Sequence, residues 1–283
     1  MAESPSPGHV VWLGGMPRSG SSWLAQILAS HPDTRLKLCP LFSYEFKNAL
    51  DRESSLEDWN TLFADVYRAR SDYLDQDFLR RDGLVPGFVE QHETPAWLVV
   101  KSVRFHELWA HAVAMGVEAK TLYIVRDPID CIASWVFNER EFPAAADIER
   151  EWRSGACRKT GVGEYWGFDD WLRVTQLHVN LERQYPERVR LVAYDDLARA
   201  PQDQTDAILG WLGLDQHDQT TRFIEQSRAR HSDDPRAVFK DPSELNQLHR
   251  RLPDHIVDTI RTAVSETSLA RFLRQPEMGS SHG

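Results

Sequence analysis

A glycine-rich turn between an apolar strand and an amphipathic helix, close to the amino terminus, constrains this chain most. Residues 9–15, His-Val-Val-Trp-Leu-Gly-Gly, form a short apolar run. Its length and its β-branched and aromatic content predict a strand covered on both faces. Gly15-Met-Pro17-Arg18-Ser19-Gly20-Ser21-Ser22 follows. Residues 21–30 then place Trp23, Leu24, Ile27 and Leu28 on one helical face, and His31-Pro32 ends the helix. A strand, a glycine loop and a helix N-terminus together aim backbone N–H groups and the positive end of the helix dipole at an anion. Gly15 and Gly20 have P-loop spacing, but Ser21 stands where a nucleoside triphosphatase has its lysine. The loop's cation is Arg18 instead. A triphosphate calls for a Walker lysine and magnesium, whereas a single arginine suits an anion of lower charge.

Apolar runs at 97–103, 120–126 and 189–194 predict three further buried strands. Between and after them, helices are expected over 55–80, over 105–115 with Gly116 closing it, and after Asp127-Pro128. More helices are expected over 164–185, 204–212, 219–229 and 254–274. Strands alternating with helices imply an α/β fold: a P-loop-like, mainly parallel sheet with helices on both faces. No repeat or linker divides the chain, so one domain is expected over 9–275, with tails at 1–8 and 276–283. Gly155, Gly161, Gly163 and Gly167 mark 140–170 as the expected mobile insert.

Charge narrows the partners. With 33 Lys+Arg against 43 Asp+Glu the chain carries a net −10, which argues against a general nucleic-acid or anionic-membrane binder. Three cysteines without CxxC spacing support neither a disulfide framework nor a zinc site. The 11 histidines show no HxH or HExxH spacing, so no metal is expected. The polar start lacks a signal-peptide core, and no apolar stretch is long enough to span a membrane. A cytoplasmic location is therefore expected.

Four motifs resemble a known family. Pro17-Arg18-Ser19-Gly20-Ser21-Ser22-Trp23 resembles the 5′-phosphosulfate loop of sulfotransferases that use 3′-phosphoadenosine 5′-phosphosulfate (PAPS). Tyr123-Ile-Val-Arg126-Asp127-Pro128 through Ser134 resembles their 3′-phosphate motif, with Arg and Ser eight residues apart. Lys101-Ser-Val-Arg104-Phe is similar to the intervening strand of the carbohydrate (6-O type) branch, and Tyr194-Asp-Asp-Leu197 with Pro201 to the family's YEDL-x-P stretch. The matches fall in the family's order. The resemblance implies a sulfuryl transferase with PAPS as co-substrate and no metal. Its acceptor would be a hydroxyl on a carbohydrate, glycolipid or small molecule. It further implies that the amides of Ser19 to Ser22 cradle the 5′-phosphate and that Arg18 and Lys101 bind the sulfonate. Arg126 and Ser134 would hold the 3′-phosphate, and Trp23 would stack on adenine.

The proton acceptor is where the chain departs from the family. Phenol-type enzymes carry His two residues after the lysine, and here that residue is Val103. The carbohydrate branch carries Glu before Pro after the second strand, and here Cys39 precedes Pro40. Glu45 is the first candidate base, His106 the second, and His92 with Glu93 the third. Arg158-Lys-Thr-Gly161-Val-Gly163 mimics the family's late nucleotide-binding stretch but precedes the YEDL-like segment, so it is not assigned there. Two other readings stay open: an ATP-dependent P-loop phosphotransferase, and a non-catalytic module for PAPS or its product, adenosine 3′,5′-bisphosphate (PAP).

Overall fold

A computed structural model describes residues 6–240 and 248–274. The expected tail at 276–283 lies outside them. The strands are β1 (His9–Gly15), β2 (Thr34–Leu38), β3 (Trp97–Ser102), β4 (Lys120–Val125) and β5 (Val189–Ala193). The helices are α1 (Ser21–Ala29), α2 (Leu56–Arg68), α3 (Asp77–Arg81), α4 (His106–Met115) and α5 (Pro128–Val136). They continue with α6 (Ile148–Ser154), α7 (Gly167–Gln184), α8 (Tyr194–Arg199), α9 (Pro201–Leu212), α10 (Asp218–Ala229) and α11 (Asp254–Ser265).

All strand pairs are parallel, in the order β2-β3-β1-β4-β5. The central strands are nearly continuous apolar runs because helices cover both their faces. On one face Leu13, Val99 and Leu122 pack with α1, α9 and α10; on the other Trp12, Leu98 and Val100 pack with α2 and α4. A third apolar cluster joins α5, α7 and α11. The α/β architecture expected from the strand–helix alternation is what the chain adopts, and its carboxyl edge brings the ends of β1, β3 and β4 together.

Three expectations need correcting. β2 is a strand that periodicity does not show, since Thr-Arg-Leu-Lys-Leu has only two apolar residues. It forms because Lys37, fully buried, reaches Asp75 at 2.6 Å and the Ala69 carbonyl. The same contact explains why the helix expected over 55–80 is broken: the chain turns after Arg68 to carry Asp75 back to Lys37. The helix expected over 254–274 stops at Ser265, where the Thr267 hydroxyl donates to the Val264 carbonyl at 2.8 Å. In the glycine-marked segment, Gly155 and Gly167 serve close packing. A Cβ on Gly155 would lie 2.4 Å from the Trp166 backbone, and one on Gly167 would lie 2.5 Å from the Arg153 carbonyl.

Candidate active site

The loop after β1 is held in a conformation few side chains tolerate. Gly20 has φ 91°, and a Cβ there would lie 2.5 Å from the Tyr194 ring. A Cβ on Gly15 would meet the Ser19 hydroxyl at 2.5 Å. Arg18 itself has φ 69°, a strained value for a residue with a side chain. The loop closes on itself through Ser19 N–H to the Met16 carbonyl at 3.1 Å. Among the described residues the N–H groups of Gly20, Ser21 and Ser22 find no acceptor, and the buried Ser19 hydroxyl has no partner. Orphan donors at a helix N-terminus form an anion cradle.

Two cavities open at this edge and share a wall. The larger, about 320 Å³, is lined by Gly20, Ser21, Ser22, Trp23, Arg126 and Ser134 on one side. Arg228 lines it from the last turn of α10, and Arg236 and Lys240 from the segment that follows. The smaller, about 260 Å³, is lined by Pro17, Cys39, Tyr73, Val103 and Arg104, with Arg158, Glu164, Tyr165 and Trp166 opposite. Arg18, Ser21, Ser22, Leu38, Lys101 and Glu141 line both.

The cations around the larger cavity come from different strand ends. Arg18 Nε donates to the Ser134 hydroxyl at 3.1 Å, lies 3.6 Å from Glu141, and donates through Nη1 to the Pro235 carbonyl. Lys101 ends β3 with 8% of its surface exposed, and its ammonium has no hydrogen-bond or ion-pair partner among the described residues. Burial pulls its pKa below that of free lysine; Cys39 and Glu141 push it back up and Arg18 lowers it further. Arg126 is 5% exposed, lies over the Tyr194 ring at 4.8 Å and has a buried Nε without a hydrogen-bond partner among the described residues. Asp130 lies 3.6 Å from Arg126 and is also engaged by Arg274 at 2.8 Å. Trp23 is anchored by its indole N–H to the Ser227 hydroxyl at 2.9 Å, which leaves its ring in the cavity wall.

The residues singled out as bases stand apart from both cavities. Glu45 is exposed on the turn after β2, and its carboxyl is held below the usual range chiefly by the Ser71 hydroxyl. His106, the first residue of α4, is buried with its Nδ1 3.3 Å from Nε2 of His178, and burial lowers its pKa to about 3. His92 and Glu93 are exposed, His92 beside Asp33 at 3.2 Å. Cys39, in the position of the carbohydrate-branch glutamate, lines the smaller cavity with φ 39°, its N–H donating to the Lys101 carbonyl at 2.7 Å.

Sequence reasoning passed over Glu141, whose carboxylate lies at the shared wall and accepts from Asn138 at 2.8 Å. It also passed over Arg228, Arg236 and Lys240. The basic composition of 228–240 carries a signal for the latter, but nothing local marks Glu141. Among the described residues there is no cluster of metal-ligating side chains and no helix long and apolar enough to cross a membrane.

No curated protein sequence matches the chain. Its fold is similar to that of mouse sulfotransferase SULT7A1 complexed with PAP, at TM-score 0.55 and 14% identity, covering 93% of this chain and 86% of that one. It is equally similar to the sulfotransferase domain of the curacin biosynthetic pathway, at TM-score 0.55 and 18% identity over 96% and 100% of the two chains. Retinol dehydratase in complex with androsterone and PAP follows at TM-score 0.53 and 13% identity, over 97% and 85%. At these identities the likeness shows the fold. The 6-O carbohydrate branch finds no separate support among these relatives. The sulfotransferase family model matches residues 11–219, which include the anion loop, Lys101, Arg126 and Tyr194, and the chain therefore belongs to the sulfotransferase family, whose enzymes take their sulfuryl group from PAPS.

Proposed function

We propose that the larger cavity holds PAPS, that the smaller holds an alcohol, and that the sulfuryl group crosses between them at Arg18 and Lys101. The observation that carries this reading is the shared wall. The two cavities meet along a wall that carries both Arg18 and Lys101, as transfer between two bound partners requires. The free amides of Gly20, Ser21 and Ser22 fit the 5′-phosphate, and Arg126 with Ser134 fits the 3′-phosphate. Arg228, Arg236 and Lys240 add positive charge around the nucleotide.

In the transfer, the bond from sulfur to the 5′-phosphate oxygen breaks and that oxygen keeps the electron pair. A new bond forms from the acceptor oxygen to sulfur. Charge grows on the leaving phosphate, where Arg18, Lys101 and the loop amides are already oriented, so they stabilise the transition state more than the ground state. The acceptor proton passes to Glu141, among the described residues the one carboxylate lining both cavities, in preference to Glu45 or His106. The aromatic wall of the smaller cavity and its size favour a small alcohol with an apolar body, as in the retinol dehydratase complex with androsterone, over an extended glycan. Ser21, in place of a P-loop lysine, favours the sulfotransferase over an ATP phosphotransferase.

Replacing Glu141 with Gln keeps the shape and the Asn138 contact but removes the base. Turnover in a labelled-sulfate assay should fall by about 10²–10⁴ while PAP affinity holds within a few-fold. Undiminished turnover would remove Glu141 from the reaction. The same assay on Glu45→Gln and His106→Ala should show little change from native kcat.

A further inference from the structure

The smaller cavity carries more positive charge than sulfuryl transfer uses. Among the described residues four cations line it: Arg18, Lys101, Arg104 and Arg158. Arg18 and Lys101 stand at the wall shared with the donor cavity. Arg104 is neutralised, since its guanidinium meets Glu164 at 2.6 Å and lies over the Phe42 ring at 3.8 Å. Glu164 in turn is saturated. Its carboxylate, 4% exposed, also accepts from the Thr160 and Gly161 N–H groups. Burial alone would raise its pKa, but those amides and Arg104 outweigh burial and keep it ionised.

Arg158 is the exception. It ends the short turn Ala156–Arg158 that follows α6. Its guanidinium lies over the Trp166 ring at 5.6 Å, and its buried Nε has no hydrogen-bond partner among the described residues. Among the described residues no carboxylate pairs with it, although its neighbour Lys159 takes Asp170 at 2.7 Å. A guanidinium with a desolvated, unsatisfied donor on a cavity wall is stable there when a ligand supplies the acceptor. Glu141 is occupied at the opposite, shared wall by Arg18 and Asn138.

Resting on the two-cavity reading above, we propose that Arg158 recognises an anionic group on the acceptor. The acceptor is then an alcohol or phenol with an apolar or aromatic body that also bears a carboxylate or phosphate. The body lies between Tyr73, Tyr165 and Trp166. The hydroxyl points to Glu141 and Lys101, and the anion lies against the fork of Arg158.

The test uses the full chain saturated with PAP, titrated calorimetrically with 4-(hydroxymethyl)benzoate, its methyl ester, and 4-(hydroxymethyl)phenyl phosphate. The native chain should bind at least one anion about tenfold to a hundredfold more tightly than the ester, the worth of one charge-assisted hydrogen bond. Which anion binds better separates carboxylate from phosphate recognition. The preference should vanish in Arg158→Gln and survive in part in Arg158→Lys, which keeps charge but loses the fork. Parity of both anions with the ester in the native chain, including failure of either to bind, overturns the proposal. So does a preference that persists undiminished in Arg158→Gln. Should that variant not fold, the native comparison and Arg158→Lys decide. PAP binding is measured first: its absence refutes the donor assignment, whereas anion–ester parity with PAP bound refutes only the role of Arg158.

Discussion

Arg126→Met removes one guanidinium from the end of β4 and should separate two nucleotides that differ only in a 3′-phosphate. In the native chain Arg126 is nearly sealed from water, with its Nε unpartnered and its Nη1 weakly held by the Arg18 carbonyl at 3.4 Å. A 3′-phosphate would therefore gain at least two charge-assisted hydrogen bonds. At about 1.5–3 kcal/mol each, their loss amounts to about 3–6 kcal/mol, or roughly 10²–10⁴ in PAP affinity. Adenosine 5′-monophosphate has nothing to lose at this position and should change by less than about threefold. The fold should survive, because Asp130, the buried carboxylate 3.6 Å from Arg126, keeps Arg274 at 2.8 Å. The remaining cost is the contact with the Tyr194 ring, about 1–2 kcal/mol. Calorimetric titration of both nucleotides into both proteins, with thermal denaturation alongside, reads all three quantities. Equal losses for the two nucleotides would show that Arg126 shapes the loop and does not read the 3′ end.

Other outcomes follow from the same geometry. Lys101→Met should abolish turnover yet raise the melting temperature, because the side chain is buried and its ammonium has no hydrogen-bond or ion-pair partner among the described residues; a lowered melting temperature would contradict this. The sign agrees with the depressed pKa of Lys101: folding disfavours its charged form, so this group's penalty fades as pH rises through its folded pKa. Gly20→Ala should weaken PAP binding at least tenfold, since its Cβ would displace the Tyr194 ring against which Arg126 lies; native affinity would show the loop has slack. His106 and His178 are buried neutral, both with lowered pKa, so stability should be full above about pH 6.5 and fall with acidification below it. His106→Phe should flatten that slope in denaturant titrations at several pH values, and an unchanged slope would place the acid sensitivity elsewhere.

The sequence by itself determined four of the five strands of the sheet and the anion loop. Val10 to Leu13, Leu98 to Val100 and Leu122 to Val125 are contiguous apolar runs that only a doubly covered sheet can bury. Gly15, Gly20 and the helix behind them specify an anion cradle through backbone geometry, which needs no distant partner. Tertiary structure decided what depends on residues far apart in the chain. β2 is a strand because Asp75 reaches back to neutralise Lys37, a pairing that no local window contains. Glu141 stands beside Arg18 and Lys101 because the segment after α5 folds across the sheet edge, whereas Glu45, closer in sequence, ends on the exposed side of its turn. In sequence Arg158 only opens a stretch that mimics a nucleotide-binding motif out of its order. It stands out because Arg104 has Glu164 and Lys159 has Asp170, and that apportioning of charge exists only once the chain has folded.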